Sequence, residues 1–168
     1  FPLVRRLKLR DLPFMDLLNL LKPEAVKVIS TVSSKKRLLH VVGELAYSVY
    51  GLDMSETVKA LQERETLGPT GVGHGVALPH ARCKDMEEVV GTFILLEKPV
   101  DFGAVDNQPV DLVFSLFAPE ASGVDHLKAL ALVSRTLRDT SFCAKLRSNK
   151  DSATLYTILT ATQDTAAA

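Results

Sequence analysis

The residues best suited to chemistry are histidines and an arginine placed around a glycine-rich run. Gly71-Val72-Gly73-His74-Gly75-Val76-Ala77-Leu78-Pro79-His80 ends on an imidazole held by a proline. Glycines at 71, 73 and 75 carry no Cβ, so backbone N–H groups there can approach an anion closely. With Thr70 they make a candidate phosphate-binding loop. Pro79 fixes its own φ and biases Leu78 toward extended geometry, which holds the backbone carrying His80. An imidazole with an ordinary pKa of about 6.5 is available as a neutral nucleophile at pH 7. The plainer alternative is a loop histidine that only bonds the backbone.

Two further side chains fit the same chemistry. His126 falls in the first turn of a helix expected from Ser122 or Asp125 to Arg138, where the dipole disfavours imidazolium and favours a nearby anion. A neutral His126 there can donate a hydrogen bond to a phosphoryl oxygen; otherwise it is a polar residue on a solvated helix start. Arg64, in Glu63-Arg64-Glu65, is either a surface ion-pair residue or, lying just before the glycine run, a planar clamp for phosphoryl oxygens. His40 reads as structural. Neither G-x-x-x-x-G-K-[ST] nor G-x-G-x-x-G is present, so ATP is not expected as a direct substrate. A metal site of His74, His80, Cys83 and His126 is the competing constellation, but its spacings match no standard zinc pattern. No G-x-S-x-G elbow supports a serine hydrolase.

These residues need elements to position them. Val26 to Thr31 alternates like a strand. A helix follows from a Ser33 or Ser34 cap to about Tyr50, stopped by Gly51, with Leu38, Val42, Leu45 and Val49 at helical spacing. A second helix, capped by Asp53 or Ser55, turns Val58 and Leu61 inward and carries Arg64 near its end. Gly68 to Gly75 reads as a loop, and Val76-Ala77-Leu78 as a short extended piece halted by Pro79. Glu88–Glu97 and Val110–Ala118 are the strong strands; the second is apolar enough to be covered on both faces. In the Ser122/Asp125 helix the expected inward stripe is Leu127, Leu130, Ser134 and Leu137. A last helix spans Asp151 to about Leu159. Helices separated by buried strands predict an α/β fold, a mixed β-sheet sandwiched by helices, with strand order undetermined.

The chain has 168 residues, 46% apolar and 24% charged, which suits one globular domain and excludes general disorder. Its 20 Lys and Arg balance 20 Asp and Glu. No global cationic excess is available to displace phosphate counterions, so nucleic acid is not an expected partner. No apolar stretch reaches 18 residues, so no membrane span is expected. Cys83 and Cys143 lie 60 residues apart with no C-x-x-C. They read as reduced thiols of a cytoplasmic protein. The expected division is a basic, mobile arm over 1–15, one domain over 16–160 and a disordered tail over 161–168.

The run Gly68-Pro69-Thr70-Gly71-Val72-Gly73-His74-Gly75-Val76-Ala77-Leu78-Pro79-His80 resembles the active-site signature of the enzyme IIA domains of the bacterial phosphotransferase system, fructose/mannitol class. Pro99 to Leu112 resembles that family's middle segment, and Asp125 to Leu132 its second histidine helix. The resemblance covers roughly Asp16 to Leu159, and three separate blocks in order make it specific. Two positions depart from the pattern. Pro69 stands where serine is usual, which removes a hydroxyl and an N–H, and Ala81 replaces a common glycine.

The resemblance implies that His80 accepts a phosphoryl group from a small histidine-containing phosphocarrier protein, assisted by His126 and Arg64, on an α/β sandwich. No metal or cofactor is needed, because phosphoryl transfer asks for in-line positioning and charge stabilisation. Nε2 is the expected site of modification, with Nδ1 oriented by a hydrogen bond. Partner docking is expected on a shallow apolar surface around His80, with Val72, Val76, Leu78 and neighbouring helix residues as candidates, and a homodimer stays open. The wording Asp101-Phe102-Gly103-Ala104 and Asn107-Gln108-Pro109-Val110 is more similar to the nitrogen-regulatory branch, whose members bind regulatory targets according to their phosphorylation. The alternatives are a sugar relay that passes phosphate to a IIB domain, and a partner-binding module that carries no phosphate.

Overall fold

A computed structural model describes residues 16–161. The arm expected over 1–15 lies outside them, as does the tail expected over 161–168 apart from Ala161. The described elements are α1 (Leu17–Leu20), a 3-10 turn (Pro23–Ala25), β1 (Val26–Ile29), α2 (Lys35–Tyr50), α3 (Met54–Thr66), β2 (Gly71–Gly73), β3 (Val76–Ala77), β4 (His80–Cys83), β5 (Val90–Val100), β6 (Val110–Pro119), α4 (Val124–Arg138), α5 (Thr140–Arg147) and α6 (Ser152–Thr160).

The sheet is mixed, in the order β1-β5-β6-β3-β2, with β4 also on β6. β5 and β6 pair antiparallel at its centre, while β1 runs parallel to β5 and both β3 and β4 run parallel to β6. Strand alternation sends successive side chains to opposite faces. Phe93, Leu95, Leu112, Phe114 and Leu116 therefore pack under α1, α4, α5 and α6. Ile94, Leu96, Val113 and Phe117 pack under α2 and α3. Burying both faces explains the near-continuous apolar run of β6. The predicted sandwich is the observed fold.

Local signals account for most element ends. The Ser34 side chain accepts from Arg37 N–H at 3.1 Å to start α2, and Gly51 ends it at φ 70°, a left-handed conformation that suits glycine. Asp53 caps α3 by accepting from Glu56 N–H at 2.8 Å. α4 starts instead from Gly123 with no side-chain cap.

Four expectations change. Pro79 interrupts the extended chain without ending it: its carbonyl accepts the Leu116 N–H at 3.0 Å, and pairing to β6 resumes as β4. Gly71 to Gly73 is a short strand within the expected loop. Helix α5 was not foreseen, although Asp139 caps it by accepting from Ser141 and Phe142 N–H groups, and Cys143 and Leu146 line its buried side. The inward stripe of α4 is also rotated by one position. His126, Ala129, Leu132, Val133, Thr136 and Leu137 face the core, whereas Leu127 is 65% exposed. With apolar residues at 127, 129, 130, 131, 132 and 133, periodicity alone supports either stripe. Among the described residues, no helix is long and apolar enough to cross a membrane.

Candidate functional site

His80 opens β4, immediately after the Pro79 break, opposite Leu116. Its Nδ1 lies 2.9 Å from the Leu78 carbonyl oxygen. A carbonyl can only accept, so Nδ1 carries the proton and Nε2 keeps its lone pair. Arg64, in the last turn of α3, donates from Nε to that Nε2 at 3.2 Å and from Nη1 to the Gly68 carbonyl at 3.0 Å. Burial pushes the His80 pKa down and the Arg64 charge adds to this, opposed by the Leu78 hydrogen bond and the Glu65 charge. The ring is a neutral imidazole with its nucleophilic nitrogen turned to a cation.

His126 enters from the opposite layer. Its ring centroid lies 5.5 Å from that of His80, with the rings at 73°. It is 4% exposed, which replaces the solvated-helix-start alternative with a buried histidine in the α4 core stripe. Burial first, then the His80 and Arg82 charges, push its pKa down to about 4, so it too is neutral. Its Nε2 is buried without a hydrogen-bond partner. Leaving such a group unpaired costs about 1–3 kcal/mol, and an anion within reach of that nitrogen would relieve that cost.

The glycine loop divides into two parts. Thr70 is 3% exposed, its N–H and hydroxyl both donate to the Glu65 carboxylate, and its carbonyl takes the Leu78 N–H at 2.9 Å. Gly71 is needed because a Cβ there would lie 2.7 Å from Ala104 Cβ. Gly73 and Gly75, at φ 103° and 79°, flank His74 in the β2–β3 turn. The Gly75 carbonyl accepts from Asp111 and Leu112 N–H groups. Gly75 thus sits four residues back along β6 from the partner of His80, about 13 Å away at strand rise. The expectation that Gly73 and Gly75 cradle a phosphoryl group on His80 is corrected accordingly: they make a hairpin turn. His74 is exposed at that far end, where its N–H donates to Asp106 at 2.9 Å. The four residues of the competing metal constellation do not converge.

Of the expected docking residues, Val72 is exposed, but Val76 and Leu78 are buried in the sheet and cannot meet a partner. Among the neighbouring helix residues, Leu67 just past α3 and Val124 and Leu127 on α4 are exposed, and Val105, which was not expected there, is exposed in the β5–β6 loop beside Gly73. Their signal was large apolar residues beside the chemistry.

Comparison with known proteins agrees with the fold. A 153-residue stretch, 91% of this chain, is 42% identical to the whole of a nitrogen regulatory protein from Bradyrhizobium diazoefficiens. A nitrogen regulatory protein from Escherichia coli is 38% identical over 152 residues, 90% of this chain and 93% of that one. The crystal structure of nitrogen regulatory protein IIA-Ntr from Neisseria meningitidis superposes with a TM-score of 0.76 at 34% identity, covering 82% of this chain and 95% of that chain. IIA mannitol from Escherichia coli, at 23% identity, a TM-score of 0.70 and coverage of 83% and 98%, shares the fold. The family described as phosphoenolpyruvate-dependent sugar phosphotransferase system, EIIA 2, matches residues 19–162, and the chain belongs to it.

Proposed function

We propose that the protein takes a phosphoryl group onto Nε2 of His80 from a histidine-containing phosphocarrier protein and acts as a phosphorylation-dependent regulator of the nitrogen-regulatory type. The observation that carries the chemistry is the bracketing of one imidazole: Nδ1–H is given to Leu78, and the Nε2 lone pair faces Arg64. The Nε2 pair forms the new N–P bond while the N–P bond of the donor histidine breaks, its electrons returning to the donor ring. The Nδ1 proton stays between His80 and Leu78, which makes the phosphorylated ring an imidazolium, and the donor ring, keeping the proton on its other nitrogen, leaves as neutral imidazole. Arg64 keeps three of its five N–H groups for the equatorial oxygens, and His126 donates to another. What Arg64 and His126 supply is electrostatic preorganisation, as a loose, charge-rich transition state requires.

The regulatory half of the proposal is supported by relatives named for nitrogen regulation that align over nearly their whole length. Exposed Leu67, Val72, Val105, Val124 and Leu127 offer the phosphocarrier and regulatory targets an apolar rim. Cys83 and Cys143 are free thiols, which suits a reducing cytoplasm. The test is incubation with phosphoenolpyruvate, enzyme I and the phosphocarrier, followed by intact mass. One acid-labile phosphoryl gain is expected, absent in His80→Ala. An acid-stable gain, or none in the native protein, overturns the proposal.

A further inference from the structure

Both nitrogens of His80 are governed from a single turn of α3. Arg64 reaches Nε2 directly, and the next residue reaches Nδ1 through the backbone. The Glu65 side chain is only 7% exposed, although its neighbours Glu63 and Thr66 read as ordinary surface residues by type. Its two oxygens accept three donors: Lys35 Nζ at 2.7 Å, Thr70 N–H at 3.3 Å and the Thr70 hydroxyl. Lys35 lies over the Phe102 ring, 4.5 Å from its centroid, which fixes the cation that neutralises Glu65. Thr70 then passes the constraint on. Its carbonyl holds the Leu78 N–H at 2.9 Å, and the Leu78 carbonyl takes the His80 Nδ1–H at 2.9 Å. Pro79 offers no N–H to this stretch, so Leu78 hangs between Thr70 on one side and the Pro79–Leu116 hydrogen bond on the other.

We propose that Glu65 is a positioning residue for phosphoryl transfer: its buried carboxylate, through Thr70 and the Leu78 carbonyl, locks His80 in the Nδ1–H tautomer that leaves Nε2 free to attack. This rests on His80 being the phosphoryl acceptor. A carboxylate is required because Thr70 presents two donors and Lys35 three, and only a group that accepts at both oxygens serves them. Glu65→Gln turns one acceptor into a donor and leaves Lys35 without its counter-charge. Glu65 touches no reacting atom; it decides which nitrogen reacts.

The experiment combines nitrogen-15 spectra of the His80 ring in the unphosphorylated full chain with transfer kinetics from the phosphocarrier. Native protein is expected to show a single Nδ1–H tautomer. Glu65→Gln is expected to show a mixture of tautomers and an about tenfold lower transfer rate constant, in the range typical of partners that orient an imidazole, with KM for the phosphocarrier unchanged because the apolar rim is untouched. Thr70→Val, which keeps the Lys35–Glu65 pair but removes the hydroxyl, is expected to move both readouts in the same direction, and Thr70→Ser to restore them. A pure native tautomer in Glu65→Gln overturns the inference whether or not its rate has fallen. Should Glu65→Gln fail to fold, Thr70→Val decides by the same two readouts. If the native protein itself takes no phosphoryl group, the acceptor assignment fails instead, an outcome distinct from a native protein that transfers and a Glu65→Gln variant that matches it.

Discussion

The two ends of the glycine hairpin hold the same kinds of residue and use them in opposite ways. At one end His80 has Arg64 as its neighbour, the guanidinium meets no carboxylate, and three N–H groups remain unspent. At the other, beside His74, Arg147 is paired with a carboxylate. Its Nε donates to both Asp111 oxygens at 3.1 and 2.9 Å, and its Nη2 donates to Asp111 Oδ1 at 2.9 Å and to the His74 carbonyl at 2.7 Å. Asp106 takes the His74 N–H as well. A cation that already holds a bidentate carboxylate is neutralised and ties elements together; one facing an imidazole lone pair keeps its charge uncompensated. Histidine and arginine near glycines do not define a site. The placement of the carboxylates does.

The contrast is sharpest in the response to substitution. Arg64→Ala is expected to slow phosphoryl transfer by about 10²–10³-fold, the usual loss on removing one preorganised donor to a developing charge, with little change in melting temperature. Quenched-flow transfer and thermal melts on one preparation check both halves. A rate within threefold of native would put Arg64 on the structural side of the comparison. Asp111→Asn, by contrast, should cost about 1–3 kcal/mol of stability, because Arg147 loses its counter-charge in a half-buried setting. Urea unfolding measures this, while the folded variant should still transfer phosphate at the native rate.

Acid gives a third separation. His80 and His126 have folded pKa values below the ordinary histidine value of about 6.5, the latter at about 4. A lowered folded pKa means that the unfolded chain binds more protons as pH falls through that window. The stability they contribute is therefore complete above about pH 6.5 and is lost progressively toward pH 4. Melts across that range should show the decline, and His126→Asn should flatten it. Transfer should fall over the same interval as His80 becomes protonated, with a midpoint below 6.5. The smallest effect is expected at the far turn. His74 sits at φ 56°, so His74→Gly should relieve a left-handed conformation and raise stability by about 0.5 kcal/mol, measured by urea unfolding, without touching transfer.

The legibility of this molecule follows the range of its interactions. Caps at Ser34 and Asp53, the stop at Gly51 and the apolar runs of β5 and β6 are local, so they stand out in the chain. The continuation of β4 past Pro79 is not local, since it depends on Leu116 supplying an N–H from a strand over thirty residues away. The rotation of α4 has the same character: two apolar stripes compete on one helix, and the sheet beneath selects the one that buries His126. Glycines 73 and 75 misled for a related reason. Glycine marks a permissive backbone, whether the need is a turn or an anion.

From its residues alone this chain indicated the sandwich class, because strand and helix patterns are short-range, whereas His80, His126 and Arg64 were drawn together by the resemblance of three blocks to a known family. Only the tertiary structure decided that the His80 lone pair lies on Nε2 facing Arg64, that His126 is buried with an unpaired nitrogen, that Gly75 belongs to a distant turn, and that the Glu65 carboxylate is linked to the His80 ring through Thr70 and Leu78. Each of these rests on partners brought together across the sheet, where a hydrogen bond has a definite direction and a charge has a definite neighbour, and neither property is written in the order of residues.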